Sequence, residues 1–299
     1  MIVSIDGLNP RALAVLGESA TPTLHRLIAE GASTLNARSL RESTETLPNH
    51  VGMVTGLRVA QRRGGHGVAF NVDNGSTIAT AAGRRVASIF SRVSGAGGAP
   101  ALFASKDKFR FIQRSWRNKI SRFTMRESNG KLTQAFIRDL AHQRQLRFVH
   151  LSAPDKAGHA HGFMSAAYLK GVRRSDARLG SMIAALEAQG SMDQTLVIVT
   201  ADHGGRGARH YNPRKRPNYT VPLIFWGAGV TVGDLYELNP ERHESVSRGT
   251  YGELRPIFNA DVANAALTAL SLKLLPGGVS DGMPVLRLVE PVTTTIERN

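Results

Sequence analysis

The stretch that decides the fold is residues 196–203, Leu-Val-Ile-Val-Thr-Ala-Asp-His, in which an apolar, β-branched run leads into Asp202 and His203. Residues 2–6 repeat the pattern and end in Asp6. The run 148–152 is followed, after a short turn, by Asp155 and His159. Short apolar strands that end in polar residues are typical of a parallel sheet with a ligand site along its carboxyl edge. The three runs therefore predict such a sheet.

Further apolar runs alternate with helical patterns along the chain. The remaining strands are predicted at 86–90, 101–104 and 221–226. Helices are predicted from Thr21-Pro22 onward, over 133–145 and 165–188, and from Asp261 to Leu270. This alternation predicts an α/β fold, a mostly parallel central sheet with helices on both faces. We expect one domain over 1–299, in which the basic segment 105–131 could form a small cap or insertion near the site.

The composition excludes several classes of protein. The chain has 299 residues, 41% of them hydrophobic, which is enough for a globular core. It has 0 cysteines, so disulfides, thiolate metal ligands and a cysteine nucleophile are excluded. No apolar run approaches the roughly 20 residues that a membrane span needs.

The net charge of +15 leaves two interpretations open. It could attract phosphate-bearing substrates or nucleic acid, or it could reflect a generally arginine-rich, solvated surface. No signal peptide is visible, but Met1 lies only five residues before Asp6, so an incomplete N-terminus is an alternative. Localisation and oligomeric state are therefore left open.

Six acidic and imidazole side chains follow the strand candidates. Carboxylate oxygens and imidazole nitrogens are ligands that zinc accepts, and six of them suffice for two ions. Each residue alone would more often be a helix cap or a satisfied polar group. Their clustering at three strand ends favours a two-metal hydrolase. The candidate ligands are Asp6, Asp155, His159, Asp202, His203 and His210.

A second element is the segment 43–50, Ser-Thr-Glu-Thr-Leu-Pro-Asn-His. Pro48 suits the first turn of a helix, which would place Thr46 just before its N-terminus. Amide groups and the helix dipole at that point stabilise an alkoxide or a phosphoryl group. The alternative is that Thr46 only caps the helix.

These motifs together resemble the alkaline phosphatase superfamily, and most closely its nucleotide pyrophosphatase/phosphodiesterase branch. The resemblance runs from the first strand to about His210, with the motifs in the family's order. It is carried by residues 3–7, 46–50 with 54–57, Asp155 to His159, and 200–204.

The resemblance implies two Zn²⁺ ions and a threonine nucleophile. Thr46 matches the residue that takes up the phosphoryl group, and Asn71 would be the amide contact to a phosphate oxygen. His50, His66 and His161 could orient ligands or could be ordinary satisfied histidines. The residues that match one ion's ligands are Asp155, His159 and His210, and those that match the other's are Asp6, Thr46, Asp202 and His203.

The expected activity is that of a phosphodiesterase or nucleotide pyrophosphatase that acts on a small phosphoester or nucleotide through a phosphoryl-enzyme intermediate. A phosphomonoesterase is the nearest alternative. Monoesters carry one more negative charge and would favour an arginine beside the site, for which Arg41 and Arg58 are near in sequence. A sulfatase is disfavoured, because its Cys/Ser-x-Pro-x-Arg element is missing. A non-catalytic basic binding module is the alternative from another class.

Overall fold

A single eight-stranded sheet organises the fold in this computed structural model, which describes residues 1–252, 254–279 and 286–288. In chain order its strands are β1 (Ile2–Ile5), β2 (Ala32–Arg38), β3 (Ala101–Ala104), β4 (Arg122–Met125), β5 (Arg147–Leu151), β6 (Leu196–Thr200), β7 (Thr220–Gly227) and β8 (Gly233–Asp234). The spatial order is β4-β3-β5-β1-β6-β7-β2-β8. Only β7 runs antiparallel to its neighbours, β6 and β2. The sheet is therefore mostly parallel, as the sequence predicts.

The helices connect the strands and cover them. In chain order they are α1 (Pro10–Ala20, kinked at Gly17), α2 (Pro22–Glu30), α3 (Thr46–Thr55), α4 (Ile78–Ala82), α5 (Ile89–Gly95), α6 (Arg110–Ser115), α7 (Asn129–Asp139), α8 (Ala153–His161), α9 (Ala166–Ala188), α10 (Arg216–Tyr219), α11 (Leu235–Leu238) and α12 (Val262–Ala269). Single 3₁₀ turns occur at Gln61–Arg63, Asp107–Phe109, Met192–Gln194 and Asn259–Asp261. None of the helices within the described ranges is both long and apolar enough to cross a membrane.

Two groups of helices enclose the sheet. In one group α1, α2, α7 and α9 contact one another, and in the other α3, α5 and α12 do so. The central strands are buried on both sides, as Val3, Phe148 and Ile198 show with at most 1% exposure. Continuous apolar strands are what a sheet with two covered faces requires.

Some predicted elements are wrong in type or in length. Residues 86–90 do not form a strand, because the Ser88 hydroxyl accepts from the backbone N–H of Ser91 and caps α5. The helix predicted at 133–145 ends at Asp139 instead. Residues 105–131 include α6 and β4, and β4 pairs with β3 as the last strand of the sheet.

Candidate active site

Neighbouring parallel strands bring the predicted ligands to one edge of the sheet. Asp6 directly follows β1, and Asp202 and His203 follow β6. Asp155 lies in the first turn of α8, just after β5. Since β5, β1 and β6 are adjacent and parallel, their carboxyl ends meet there. His159 lies one turn further along α8, so it shares a helix face with Asp155.

The turn after β1 depends on Gly7. Its φ of +72° lies in the left-handed region, and a Cβ there would lie 3.1 Å from the Asp155 Cβ. The backbone N–H of Gly7 donates to Asp202 Oδ1 at 3.1 Å. A side chain at residue 7 would therefore separate the strand ends that hold the three aspartates.

Three imidazoles are held in one tautomer by backbone carbonyl oxygens. The Nδ1 atom of His203 donates to Gly204 O at 2.7 Å, that of His159 to Ala208 O at 3.0 Å, and that of His210 to Thr44 O at 2.6 Å. A carbonyl can only accept, so each Nδ1 carries a proton and the Nε2 atom is the one that each ring can offer to a metal ion. Such backbone bonds are the usual way in which metal-binding imidazoles are oriented.

The Nε2 atoms converge on the carboxylates. His203 Nε2 lies 3.3 Å from Asp202 Oδ2, 3.4 Å from Asp6 Oδ1 and 3.8 Å from Asp155 Oδ1. The Nε2 atoms of His159 and His210 face each other at 3.0 Å, and the rings of His203 and His210 stack at 3.6 Å. Two ring nitrogens at that distance can serve as ligands of one cation.

The unpartnered atoms of this cluster fit metal ions. Four buried atoms have no hydrogen-bond partner among the described residues: Asp6 Oδ1, Asp155 Oδ1, Asp202 Oδ2 and His203 Nε2. Buried polar atoms are normally satisfied, and a group of unsatisfied ones requires a reason. Two sets of ligand atoms lie within 4.8 Å of one another, Asp155 with His203 and His210, and Asp6 with Asp202 and His203. These oxygen and imidazole donors suit zinc.

The protonation of these groups follows from burial and charge. Burial lowers the pKa of His203, and burial together with the charge of His203 lowers that of His210 to about 2. Burial and the charge of Asp6 raise the pKa of Asp202. Burial also opposes ionisation of Asp6, but the ammonium of Lys106 and the His150 ring outweigh it and hold its pKa well below the usual value.

Thr46 begins α3 rather than preceding it, with Glu45 as the N-cap residue. Its side chain is buried at the same edge of the sheet, in the first turn of the helix. Asn71 lies next to it, since Asn71 Oδ1 accepts from the backbone N–H of Leu47 at 2.9 Å. Asn71 therefore lies at the N-terminus of α3, beside Thr46.

Sequence reasoning did not identify Lys106. Its ammonium lies 2.6 Å from both Asp6 Oδ2 and Asp155 Oδ2, and it donates to Thr46 Oγ1 at 3.4 Å. Burial opposes its charge, but the two carboxylates outweigh that effect and raise its pKa. Lys106 follows β3 by two residues, so the strand-end rule that found Asp6 would also have found it.

Lys108 extends the same basic side of the site. Its ammonium donates to Asn71 Oδ1 at 2.9 Å. Burial, together with the charge of Lys106, lowers its pKa. Arg41 and Arg58, the arginines considered from the sequence, lie elsewhere: Arg58 pairs with Glu42 at 3.0 Å, and both guanidinium groups lie over the ring of Tyr251.

Two buried histidines position site residues without lying at its centre. His150 accepts the backbone N–H of Ser105 at Nδ1 and donates from Nε2 to Asp6 Oδ2 at 2.8 Å. His50 donates from Nδ1 to Thr46 O at 2.7 Å and bonds Ser4 Oγ through Nε2. His66 accepts from the backbone of Val68, and His161 is exposed. His150 was not singled out from the sequence because it lies inside a strand.

The fold and this cluster define an α/β protein of the alkaline phosphatase superfamily. The sequence model of the family "Type I phosphodiesterase / nucleotide pyrophosphatase" matches residues 1–73 and 75–217. The chain belongs to this family.

The curated relatives are larger proteins that match this chain over part of their sequence. The chain is 29% identical over 130 residues to GPI ethanolamine phosphate transferase 1 of Gibberella zeae, which covers 43% of this chain and 13% of that protein. It is 27% identical over 149 residues to the Saccharomyces cerevisiae transferase of the same name, covering 49% and 16%. The chain thus matches only a small part of the length of these relatives.

The solved structures show the same fold. Human ectonucleotide pyrophosphatase/phosphodiesterase 5 superposes with a TM-score of 0.68 at 13% identity, covering 93% of this chain and 96% of that one. An inactive threonine-to-alanine variant of the murine protein in complex with AMP gives a TM-score of 0.63 at 15% identity, with the same coverage.

Proposed function

We propose that this chain is a two-zinc phosphoester hydrolase with Thr46 as its nucleophile. The observation that carries this proposal is the meeting of three imidazoles, three carboxylates and a threonine hydroxyl at one edge of the sheet. Asp155, His159 and His210 would hold one ion. The other would be held by Asp6, Thr46, Asp202 and His203.

The chain's own residues perform the following steps. Thr46 Oγ loses its proton and forms a bond to phosphorus while the bond from phosphorus to the leaving oxygen breaks and that oxygen takes up a proton, which gives a phosphorylated threonine. Water then attacks phosphorus, the bond from phosphorus to Oγ breaks, and a proton from the water restores the hydroxyl of Thr46. Two bound zinc ions would lower the pKa of the attacking hydroxyl and water and balance negative charge in the transition state. The Asn71 amide and the N-terminus of α3 orient the phosphoryl oxygens.

The type of ester is a separate question. Membership of the phosphodiesterase family favours a diester, a nucleotide or a pyrophosphate as the substrate. The AMP in the murine structure and the inactivity of its threonine variant support a nucleotide and a threonine nucleophile in that relative. An ammonium group beside Thr46 favours a substrate with more negative charge.

The first test is hydrolysis of bis-p-nitrophenyl phosphate and p-nitrophenyl phosphate by zinc-loaded protein, with Thr46→Ala in parallel. We expect a loss of about 10³-fold or more in kcat, because the nucleophile is removed. Thr80→Ala, at an exposed position in α4, is the matched control and should keep full activity. Equal activity of wild type and Thr46→Ala would contradict the mechanism, and failure to bind zinc would favour the non-catalytic alternative.

A transferase is the second candidate, because the curated relatives are phosphate transferases. A phosphothreonine can be attacked by an alcohol instead of water. If the reaction is run in the presence of ethanolamine or glycerol, a transferase would give a phosphorylated acceptor, which ³¹P NMR would detect among the products. Inorganic phosphate alone would assign hydrolysis.

A further inference from the structure

The positive charge of the chain is concentrated in one region. Residues 58–126 contain 14 basic side chains and 2 acidic ones, so this region carries +12 of the net charge of +15. The rest of the chain carries only +3. Surfaces of soluble proteins normally intersperse charges of both signs, so a concentration of one sign in one region requires a reason.

Three segments of this region lie side by side, next to α5 and α6. The guanidinium group of Arg84 donates to Gly64 O at 2.6 Å, and the indole N–H of Trp116 donates to Val86 O at 3.0 Å. These two bonds join the three segments into one surface. The segments are 61–64, 83–86 and 116–119.

This surface presents six exposed cations. None of the six forms an ion pair with a carboxylate of the described residues. The two acidic residues of the region are already paired, Asp73 with Arg114 and Asp107 with Arg110. The six positive charges are therefore available to a partner. We call them the arginine surface: Arg62, Arg63, Arg84, Arg85, Arg117 and Lys119.

The side chains of the arginine surface indicate what kind of partner fits. Five of the six are arginines, whose guanidinium groups bind phosphate oxygens through two parallel hydrogen bonds. Surfaces that dock on membranes usually add exposed apolar residues, but Val86 and Trp116, the large apolar side chains of these segments, are buried. Proteins that bind single strands stack bases on exposed aromatic rings, and the only ring of these segments is that of Trp116. A duplex can be bound through its phosphates alone.

We propose that the arginine surface binds the phosphate backbone of a nucleic-acid duplex, without regard to base sequence. None of its cations bonds to a described residue of the candidate active site, and the inference does not rest on the proposed function. One alternative is that any affinity for polyanions comes from the net charge of the whole protein. The other is that the surface docks on an anionic membrane.

The test measures the binding of short fluorescein-labelled DNA and RNA duplexes by fluorescence anisotropy at several KCl concentrations. The surface variant has serine at Arg62, Arg63, Arg85 and Arg117, whose side chains form no hydrogen bond or ion pair with a described residue, so their replacement should not disturb the fold. The charge-matched control variant has serine at four exposed arginines of α1, α7 and α9. These are Arg11, Arg138, Arg173 and Arg174.

We expect the wild type to bind duplex with a slope of about −5 for the logarithm of the association constant against that of the salt concentration, since each neutralised phosphate contributes about −0.9. The surface variant should bind at least about 100-fold more weakly, with a slope smaller by about 3 to 4. The control variant should stay within about fivefold of wild type, because charges more than about 10 Å away are screened at 0.1 M salt.

Three outcomes would overturn the proposal. Equal weakening in the two variants would show that only the net charge matters. Absence of duplex binding by the wild type would exclude the partner. Binding of the wild type to vesicles of phosphatidylserine and phosphatidylcholine, with no binding to either duplex, would assign the surface to a membrane instead.

A second measurement uses the wild type alone and so does not depend on how the variants fold. Phenylglyoxal modifies exposed arginines, and mass spectrometry of peptides gives the rate at each one. We expect bound duplex to slow the modification of Arg62, Arg63 and Arg85 several-fold and to leave that of Arg138 unchanged. Equal rates with and without duplex would contradict the proposal. Zinc binding and the activity of Thr46→Ala test the proposed function separately, since neither enters these measurements.

Discussion

Buried carboxylates are hydrogen-bonded to arginines at the amino end of the central sheet and only partly hydrogen-bonded at its carboxyl end. At the carboxyl end, three aspartates lie close together and four of the candidate ligand atoms lack a hydrogen-bond partner within the described ranges. At the amino end, Asp139 accepts three bonds of 2.9–3.2 Å from Arg144 and one of 3.1 Å from Arg147. Charged groups that are fully hydrogen-bonded within the protein are typical of structural ion pairs. Charged groups with unpartnered atoms are typical of binding sites.

The amino end also holds a cavity of about 650 Å³ between Phe136, Arg147, Leu196 and Leu270. No carboxylate of the described residues lines it. In open α/β sheets, ligands bind outside the carboxyl ends of the strands. In this fold the arrangement of unsatisfied polar atoms, rather than the size of a cavity, indicates where the site lies.

The largest expected effect comes from removing a charge at the carboxyl end. Asp202→Asn should lower kcat/KM by about 10³-fold, because it removes one of the metal ligands of the proposed two-zinc site. The zinc-free protein should be as stable as wild type or up to about 1 kcal/mol more stable, since one of several crowded carboxylates is gone. Kinetics and urea unfolding measure the two quantities. A clear loss of stability without loss of activity would assign Asp202 a structural role.

Zinc should stabilise the folded protein only by binding to the residues at the carboxyl end of the sheet. At about 100 times its dissociation constant, a bound ligand adds about 2.7 kcal/mol to the free energy of unfolding. Thermal unfolding with and without zinc should therefore show a rise in Tm for wild type and a smaller one for His210→Ala. His243→Ala, at an exposed position, is the control and should respond as wild type does. An equal rise in all three proteins would argue against His210 as a ligand.

Substitution of Asp139, at the amino end, should lower stability and leave activity nearly unchanged, the reverse of the result expected for Asp202. Asp139→Asn should leave activity within about twofold of wild type and lower the free energy of unfolding by about 2 kcal/mol at pH 7, because charge-assisted bonds to two arginines are lost. The exposed Asp193→Asn is the control. A large loss of activity would contradict the division between the two ends.

The difference in stability between wild type and Asp139→Asn should depend on pH. Burial opposes the charge of Asp139, but Arg144 and Arg147 outweigh it and lower its pKa below the usual 3.8. A carboxyl with a depressed folded-state pKa stabilises the protein fully above its unfolded pKa and loses that effect as the pH falls through the folded one. The stability difference between wild type and Asp139→Asn should be constant from about pH 7 to pH 5 and shrink below about pH 4. A constant difference down to pH 3 would contradict the ion pairs.

The smallest expected effect is that of a positioning residue. His150→Leu removes the donor to Asp6 Oδ2 and should lower zinc affinity and kcat/KM on the order of tenfold. His150→Gln, which keeps a donor, should recover part of both. If Leu and Gln behave alike, His150 acts only by packing against Phe109.

The sequence predicted the parts of the site that follow a simple rule. Asp6, Asp155, Asp202 and His203 each lie just after an apolar run, and the position of a strand end in a parallel sheet is fixed by topology. Their proximity could therefore be predicted without a structure. Lys106 obeys the same rule, and its contacts with Asp6 and Asp155 place it in the site.

Other features depend on tertiary contacts that no local pattern encodes. The strand β2 was not predicted, because its polar Ser33, Thr34 and Asn36 obscure the alternation that its pairing with β7 requires. The helix at 89–95 follows from a capping bond at Ser88, which an apolar run conceals. Thr46 was expected just before α3 and instead begins it, a difference of one residue of the kind that helix ends commonly show.

The backbone bonds of the three imidazoles have a consequence for how this site can evolve. Gly204, Ala208 and Thr44 orient the rings of His203, His159 and His210 through carbonyl oxygens, which every amino acid possesses. A substitution at the exposed Ala208 therefore leaves its acceptor in place, whereas a Cβ at Gly204 would lie 2.1 Å from the backbone oxygen of Pro217 and would displace the chain. Insertion or deletion of one residue would move the acceptors out of register with the rings. Natural variants that retain the site should therefore keep the length of the segment 204–210 and the glycines at 204 and 205, where a Cβ would lie 2.1 Å from Pro217 O and 2.2 Å from the Phe163 ring, while the exposed Ala208 can vary.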